Sequence, residues 1–172
     1  MHIVLGVIGL IGAALFLYAR LTDAGRAAGE PADGAQRAAG ALIRAKFRKK
    51  VEGSVIAAID DPILGAAVMM AAVANAREPI DAATATVIKE ELRETTGADP
   101  SETYEFAIWA IAQAPDPDNI SLRLTRMWNN RLSPVERQQL VDMVTRVAAM
   151  KGEPTSVQAG SIKTLTARLD LS

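Results

Sequence analysis

Apolar positions recur with the period of α-helices from about residue 41 onward. Ile43, Phe47, Val51 and Val55 follow one another at a four-residue step, which predicts a first amphipathic helix. The stretch ILGAAVMMAAVANA, from residue 63, is apolar on nearly every side and predicts a central helix covered by its neighbours. YEFAIWAIAQA, from residue 104, is of the same kind. No stretch alternates with a strand period for long enough, so the sequence predicts an all-α domain.

Helix starts can be located from capping chemistry. Of six starts, five have an acceptor side chain followed by Pro, or by Glu or Gln three residues later, or by both, and the sixth, Asp81, has the acceptor side chain alone. One predicted helix ends at Gly97, a typical C-terminal residue. Together with the first amphipathic helix, these signals predict seven helices. The six capped starts are Asp61, Asp81, Asp99, Asp116, Ser133 and Thr155, with capping boxes expected at residues 99–102, 133–136 and 155–158.

Several large apolar side chains are candidates for the core. The segment from residue 137 carries Leu140, Val144, Val147 and Ala148 on one helical face. Trp109 is expected in the core. The methionines are interpreted as core filler rather than as ligands, namely Met69, Met70, Met143 and Met150.

The first twenty residues have the composition of a membrane span. Residues 3–17 contain no charged side chain, and Tyr18 and Arg20 follow as an interfacial aromatic and a cationic stop. We therefore expect a transmembrane anchor at residues 1–20, with a cleaved secretory signal as the alternative. Gly9 and Ala13 stand at the spacing that lets two membrane helices approach closely, which would allow a homodimer through the span.

The charges that follow the span predict its orientation. Residues 21–41 are rich in Ala, Gly and charged side chains without apolar periodicity, as expected of a tether. Arg and Lys are concentrated after the span, so the positive-inside rule places the domain at residues 42–172 in the cytoplasm, beneath a bacterial-type inner (plasma) membrane. The basic run RAKFRKK is either a solvated helix face or a contact with anionic lipid.

Composition restricts the chemistry. The 172-residue chain has 19 Lys and Arg against 20 Asp and Glu, so no global field favours nucleic acid. It has no Cys, and its one His is His2, which removes thiolate catalysis and any imidazole site within the domain. We therefore expect no enzyme, no cofactor and no catalytic residue.

Two loops of the domain have related sequences. Setting Arg77 against Lys151 also brings Ile88 onto Ile162, and it pairs Asp81 with Thr155 as helix caps. Two helix-loop-helix halves are therefore predicted. Both loops are explained as tight turns that use Gly, Pro and a capping residue; an anion site between Arg77 and Lys151 is the alternative.

The two halves carry a resemblance over residues 55–172. The stretches DDPILGAAVMMAAVANAREPIDAATATVIKEELRETTG and LSPVERQQLVDMVTRVAAMKGEPTSVQAGSIKTLTARLDL resemble the TerB-like family of tellurite-resistance proteins. The related domain also occurs behind an N-terminal membrane anchor in DnaJ-like membrane chaperones. The tripeptide H-P-D of a J domain is absent from the sequence. The resemblance implies a helical bundle of two halves.

The resemblance also implies a divalent-metal site whose key acids are replaced here. In that family each loop supplies acidic ligands. Arg77 and Thr84 stand at those positions in the first loop, where Asp81 is the retained acid, and Lys151 and Gln158 stand there in the second. A hard cation needs several oxygen ligands of net negative charge, so we expect no metal.

Two functions remain open from the sequence. The first is a membrane-tethered interaction module, an adaptor, accessory subunit or assembly factor with a protein partner at the membrane. Its candidate contact residues are Arg123, Arg126, Arg131 and Trp128, although for Trp128 the core is the favoured place and an exposed contact the alternative. The second is a tellurite or metal-ion stress protein, as the family name implies.

Overall fold

The computed structural model describes residues 55–171, all of whose regular structure is helical. A short 3₁₀ helix, Ile56–Ala58, precedes six α-helices. The prediction of an all-α fold is thus confirmed for this range, and so are the six helices predicted after residue 55. The helices are α1 (Pro62–Asn75), α2 (Ala82–Thr96), α3 (Ser101–Gln113), α4 (Pro117–Arg131), α5 (Pro134–Ala149) and α6 (Ser156–Arg168).

Helix α1 lies at the centre and packs against all five other α-helices. Every residue from Gly65 to Ala74 is buried, which confirms the prediction of a covered central helix. Small residues make this possible: a Cβ atom on Gly65 would lie 3.1 Å from Met127 Cε and 3.3 Å from Leu124 Cδ1. Helix α4 therefore approaches α1 closely at this point.

Helix α3 is less covered than its sequence suggested. Its buried side chains lie on one face, whereas Tyr104 and Trp109 are only partly buried. The reason is that α3 packs mainly against α1 and α2 and lies at the outside of the bundle. Trp109 still contacts the core, with its ring centroid 5.6 Å from that of Phe106. Among the methionines, Met150 is only partly buried, and the other three interpreted as filler are in the core.

The predicted helix caps form with one exception. The side chains of Asp61, Asp81 and Asp116 each accept from a backbone N–H of the following helix, and Ser133 and Thr155 complete capping boxes. Gly97 ends α2 in the left-handed conformation, at φ 67°. At the remaining start, the helix begins one residue later than predicted and has no capping box. There Asp99 Oδ1 accepts from both the N–H and the hydroxyl of Ser101.

The N-terminal predictions concern residues outside this range. The anchor at residues 1–20, the tether at 21–41 and all of the first amphipathic helix except Val55 are not among the described residues. Between residues 55 and 171, no helix is long and apolar enough to cross a membrane.

Candidate functional site

The loop between α1 and α2 lies against the loop between α5 and α6. Lys151 Nζ donates a hydrogen bond to Asp81 Oδ2 at 2.7 Å and another to Glu78 Oε1. Arg77 Nη1 donates to the backbone carbonyl of Glu153 at 3.0 Å. The fold therefore brings the two related loops together, and it holds an ammonium group between two carboxylates.

These contacts shift the acidity of both partners. The hydrogen bond from Lys151 holds the pKa of Asp81 well below its usual range, and the N–H and hydroxyl of Thr84 lower it further. The same pairing, with Asp81 first and Glu78 second, raises the pKa of Lys151. At neutral pH the cluster therefore carries its own cation, with the Asp81 carboxylate fully ionised.

The other two replaced positions have structural contacts. Thr84 Oγ1 donates to Asp81 Oδ1 at 2.7 Å within the cap of α2. Gln158 is almost fully buried; its Oε1 accepts from Thr155 N at 3.0 Å, while its Nε2 donates to the carbonyl of Val73 at 3.0 Å. Gln158 thus caps α6 and joins it to the C-terminal end of α1. A carboxylate in its place has no hydrogen to donate to Val73.

The contact region between the α1–α2 loop and the α5–α6 loop, which we call the loop junction, leaves little space for a ligand. The cavity between the loops, lined in part by Arg77 and Lys151, has a volume of about 10 Å³. That is roughly the smallest space that holds a single water molecule. Among residues 55–171, no three acidic or histidine side chains come together as a metal site. The geometry favours the turn interpretation of both loops over an anion site.

The four candidate contact residues lie on three different sides of α4. Trp128 is fully buried, and its Nε1 donates to the carbonyl of Pro62 at 3.3 Å, so its place is the core and not an exposed surface. Arg123 and Arg126 are exposed on the opposite face. Arg131 is exposed at the end of the helix, on a third side.

An exposed leucine shares the helical face of the two arginines. Leu122 is 61% exposed, which is high for a large apolar side chain in a packed domain. Leu122, Arg123 and Arg126 fall within one third of the helical circumference, and Asn119 and Asn130 extend the same strip. Arg123 Nε donates to Asn119 Oδ1 at 3.0 Å, which fixes that guanidinium on the surface. We call these five residues the α4 face.

A groove opens between the start of α1, the end of α2, and the junction of α4 and α5. Its volume is about 430 Å³, within the range of ligand pockets in general. Its apolar lining comes from α1, α2, α5 and the α4–α5 turn, and it consists chiefly of Pro62, Ile63, Leu92, Leu132, Leu140 and Met143. We call this feature the apolar groove.

Charged side chains stand at the edge of the apolar groove. Asp61 and Glu136 line it together with Arg131. The two acids already cap helices, because Asp61 accepts from Ile63 N at 2.8 Å and Glu136 accepts from Ser133 N at 2.7 Å. Both carboxylates are thus engaged in helix capping, and the rest of the lining is mainly apolar.

Sequence reasoning did not find the apolar groove or the main ion pair of the bundle. Arg146 Nε and Nη2 donate to the two carboxylate oxygens of Glu91 at 2.7 and 2.6 Å, linking α5 to α2. Both features depend on how helices distant in sequence meet. The signal that could have revealed the loop contact was the charge complementarity between the acids of the first loop, Glu78 and Asp81, and Lys151 of the second.

Family models, curated proteins and solved structures were compared with the chain, and none of them matched. The TerB-like resemblance therefore remains a prediction, and the function of the protein is inferred from the geometry of residues 55–171.

Proposed function

We propose that the protein is a membrane-tethered interaction module that binds a protein partner through the α4 face. The observation that carries the proposal is the exposed Leu122 on the same helical face as Arg123 and Arg126. Arginine is enriched among the residues that dominate protein interfaces, and the exposed leucine beside it adds apolar surface that a partner can bury. Guanidinium groups bind carboxylates in a two-pronged geometry, so the expected partner presents an acidic surface.

The predicted span and tether would keep the α4 face close to other membrane proteins. The predicted span at residues 1–20 would hold the domain at the cytoplasmic side of the membrane, and residues 21–41 would let it reach a neighbouring complex. In this arrangement the protein acts as an adaptor, accessory subunit or assembly factor. The proposal includes no reaction and no cofactor.

The ion-binding alternative has less support. Its site would be the loop junction, where the Lys151 ammonium is already bonded to Glu78 and Asp81. A divalent cation would have to displace that ammonium and would meet the guanidinium of Arg77 nearby, at a Coulombic cost. We therefore place the interaction role first.

A pull-down of the full-length protein from native membranes in a gentle detergent tests the proposal. Arg123→Glu/Arg126→Glu should lose a stoichiometric membrane partner that the parent chain retains, because the variant presents two carboxylates to an acidic surface. Deletion of residues 1–20 should lose it as well. The double variant Arg93→Glu/Lys163→Glu has the same net charge change on exposed faces of α2 and α6 and serves as the matched control.

Two results would contradict the proposal. One is recovery of the same partners by the parent chain and by Arg123→Glu/Arg126→Glu. The other is an equal loss with the control pair, which would assign the effect to net charge. Thermal melts of the purified variants establish that the helical domain is intact in each case.

A further inference from the structure

The apolar groove has the shape of a site for an amphipathic helix. Four helices border it, and its apolar lining is concentrated in Ile63, Leu92, Leu132, Leu140 and Met143. Recognition of a helix in such a groove typically uses apolar side chains at steps of three or four residues. The occupant should therefore present apolar residues with that spacing on one side and polar residues on the other.

We propose that the apolar groove is filled by the chain's own residues 42–54, through Ile43, Phe47 and Val51. These residues repeat at a four-residue step, the spacing that a helical groove recognises. The inference does not depend on the α4 face, which lies on a different side of α4.

The position and conformation of Val55 support this arrangement. Val55 continues the same four-residue stripe, is packed against the core and has right-handed helical dihedral angles, φ −49° and ψ −43°. Pro62, at the edge of the apolar groove, is seven residues farther on. Seven residues span at most about 25 Å, so the segment ahead of Val55 starts within reach of the groove.

Charge favours the same occupant. Asp61 and Glu136 line the apolar groove against the single Arg131, and Asp60 is exposed beside them. The segment carries five cations and one acid on its polar side, namely Arg44, Lys46, Arg48, Lys49, Lys50 and Glu52. A basic helix is attracted to a groove whose edge is mainly acidic, whereas an acidic helix would be repelled.

Disulfide trapping in the full-length chain tests the inference, since the protein contains no cysteine of its own. Phe47→Cys is combined with Gln139→Cys, a partly buried position in the lining of the apolar groove. Lys49→Cys with Gln139→Cys is the matched control, because Lys49 lies about 200° around a helix from Phe47. A third pair, Phe47→Cys with Lys163→Cys on exposed α6, reports contacts elsewhere.

The pair Phe47→Cys/Gln139→Cys should form an intramolecular disulfide at least about tenfold faster than either control pair, because docking raises the effective concentration above that of a flexible segment. Rates are read under mild oxidation by non-reducing electrophoresis and mass spectrometry. Equal rates for the Phe47 and Lys49 pairs would overturn the inference. A disulfide that joins two chains would also overturn it and would identify a second copy as the occupant.

Discussion

Lys151 gives the loop junction an internal cation. It bridges two carboxylates of the other half, at 2.7 Å in the case of Asp81. The groups stay partly exposed, so solvent screens the attraction and the contact chiefly fixes the position of one loop on the other. Together with the hydrogen bond from Arg77 to the Glu153 carbonyl, this contact joins two loops that the sequence only showed to be related.

The lowered pKa of Asp81 predicts a specific acid sensitivity. Because its pKa is lower in the folded chain than the unfolded value of about 3.9, the contact stabilises the fold above that pH and is lost as the pH falls through the folded value. Urea midpoints measured from about pH 7 to about pH 2 should fall more steeply for the parent chain than for Lys151→Met.

Lys163→Met, on the exposed side of α6, is the control for that series. Its midpoints should run parallel to those of the parent chain, since its removal leaves Asp81 and Lys151 together. Parallel curves for Lys151→Met would show that the loop contact contributes nothing to stability.

The buried side chain of Gln158 leads to a second prediction at the residue scale, which concerns stability. Gln158→Glu removes the donor to the Val73 carbonyl and places a carboxylate in a site that is 1% exposed. We expect a loss of about 1–3 kcal/mol in the free energy of unfolding at neutral pH. The loss should shrink in acid, because burial raises the pKa of the introduced carboxyl and its neutral form can donate.

Gln158→Met separates charge from hydrogen bonding. It retains most of the volume but makes neither hydrogen bond, so its deficit should not vary with pH in the acid range. Chemical denaturation of both variants at two pH values gives the comparison. A pH-independent deficit for Gln158→Glu would exclude the buried carboxylate as its cause.

At the scale of helices, the starts could be predicted because caps are local. Ser133 and Glu136 are three residues apart, and Thr155 and Gln158 likewise, so the sequence contains both halves of each interaction. The error at Asp99 was also local, because the hydroxyl of Ser101 took the carboxylate oxygen that a capping box would have used.

Contacts between helices could not be predicted in the same way. The exposure of α3 depends on which neighbours cover it, and the apolar groove exists only where four helices leave a space between them. Trp128 shows the same limit, since its polar neighbours in sequence left a surface position open beside the favoured core, and only the fold shows that its ring is directed toward α1. Helix caps can therefore be predicted from a single sequence, whereas the packing of helices that are distant in sequence cannot.

The pair Glu91–Arg146 should be the main polar link between α2 and α5. The Glu91 side chain is 10% exposed, and both of its oxygens accept from the guanidinium. Arg146→Met leaves that carboxylate without its charged partner, and we expect a loss of about 2 kcal/mol in the free energy of unfolding.

A double-mutant cycle tests this pair. Glu91→Gln/Arg146→Met should lose less than the sum of the two single variants, because no buried charge remains unpaired. Urea denaturation of the four proteins measures the coupling. Strict additivity would mean that the two side chains act independently despite their geometry.

At the scale of the whole molecule, the α4 face, the apolar groove and the loop junction lie at three separate places on the domain. The α4 face and the apolar groove lie on different sides of α4, and the loop junction is formed by the α1–α2 and α5–α6 connections. A domain of this design can hold its own N-terminal segment in the groove while it presents Leu122 and its arginines to a partner.

The central position of α1 also has a consequence for synthesis of the protein. Helix α1 is translated first, whereas the helices that cover it follow up to Arg168. Domains generally fold as units as the chain leaves the ribosome. The apolar surface of α1 therefore stays without its full cover until residue 168 has emerged, and through that interval it is exposed to aggregation.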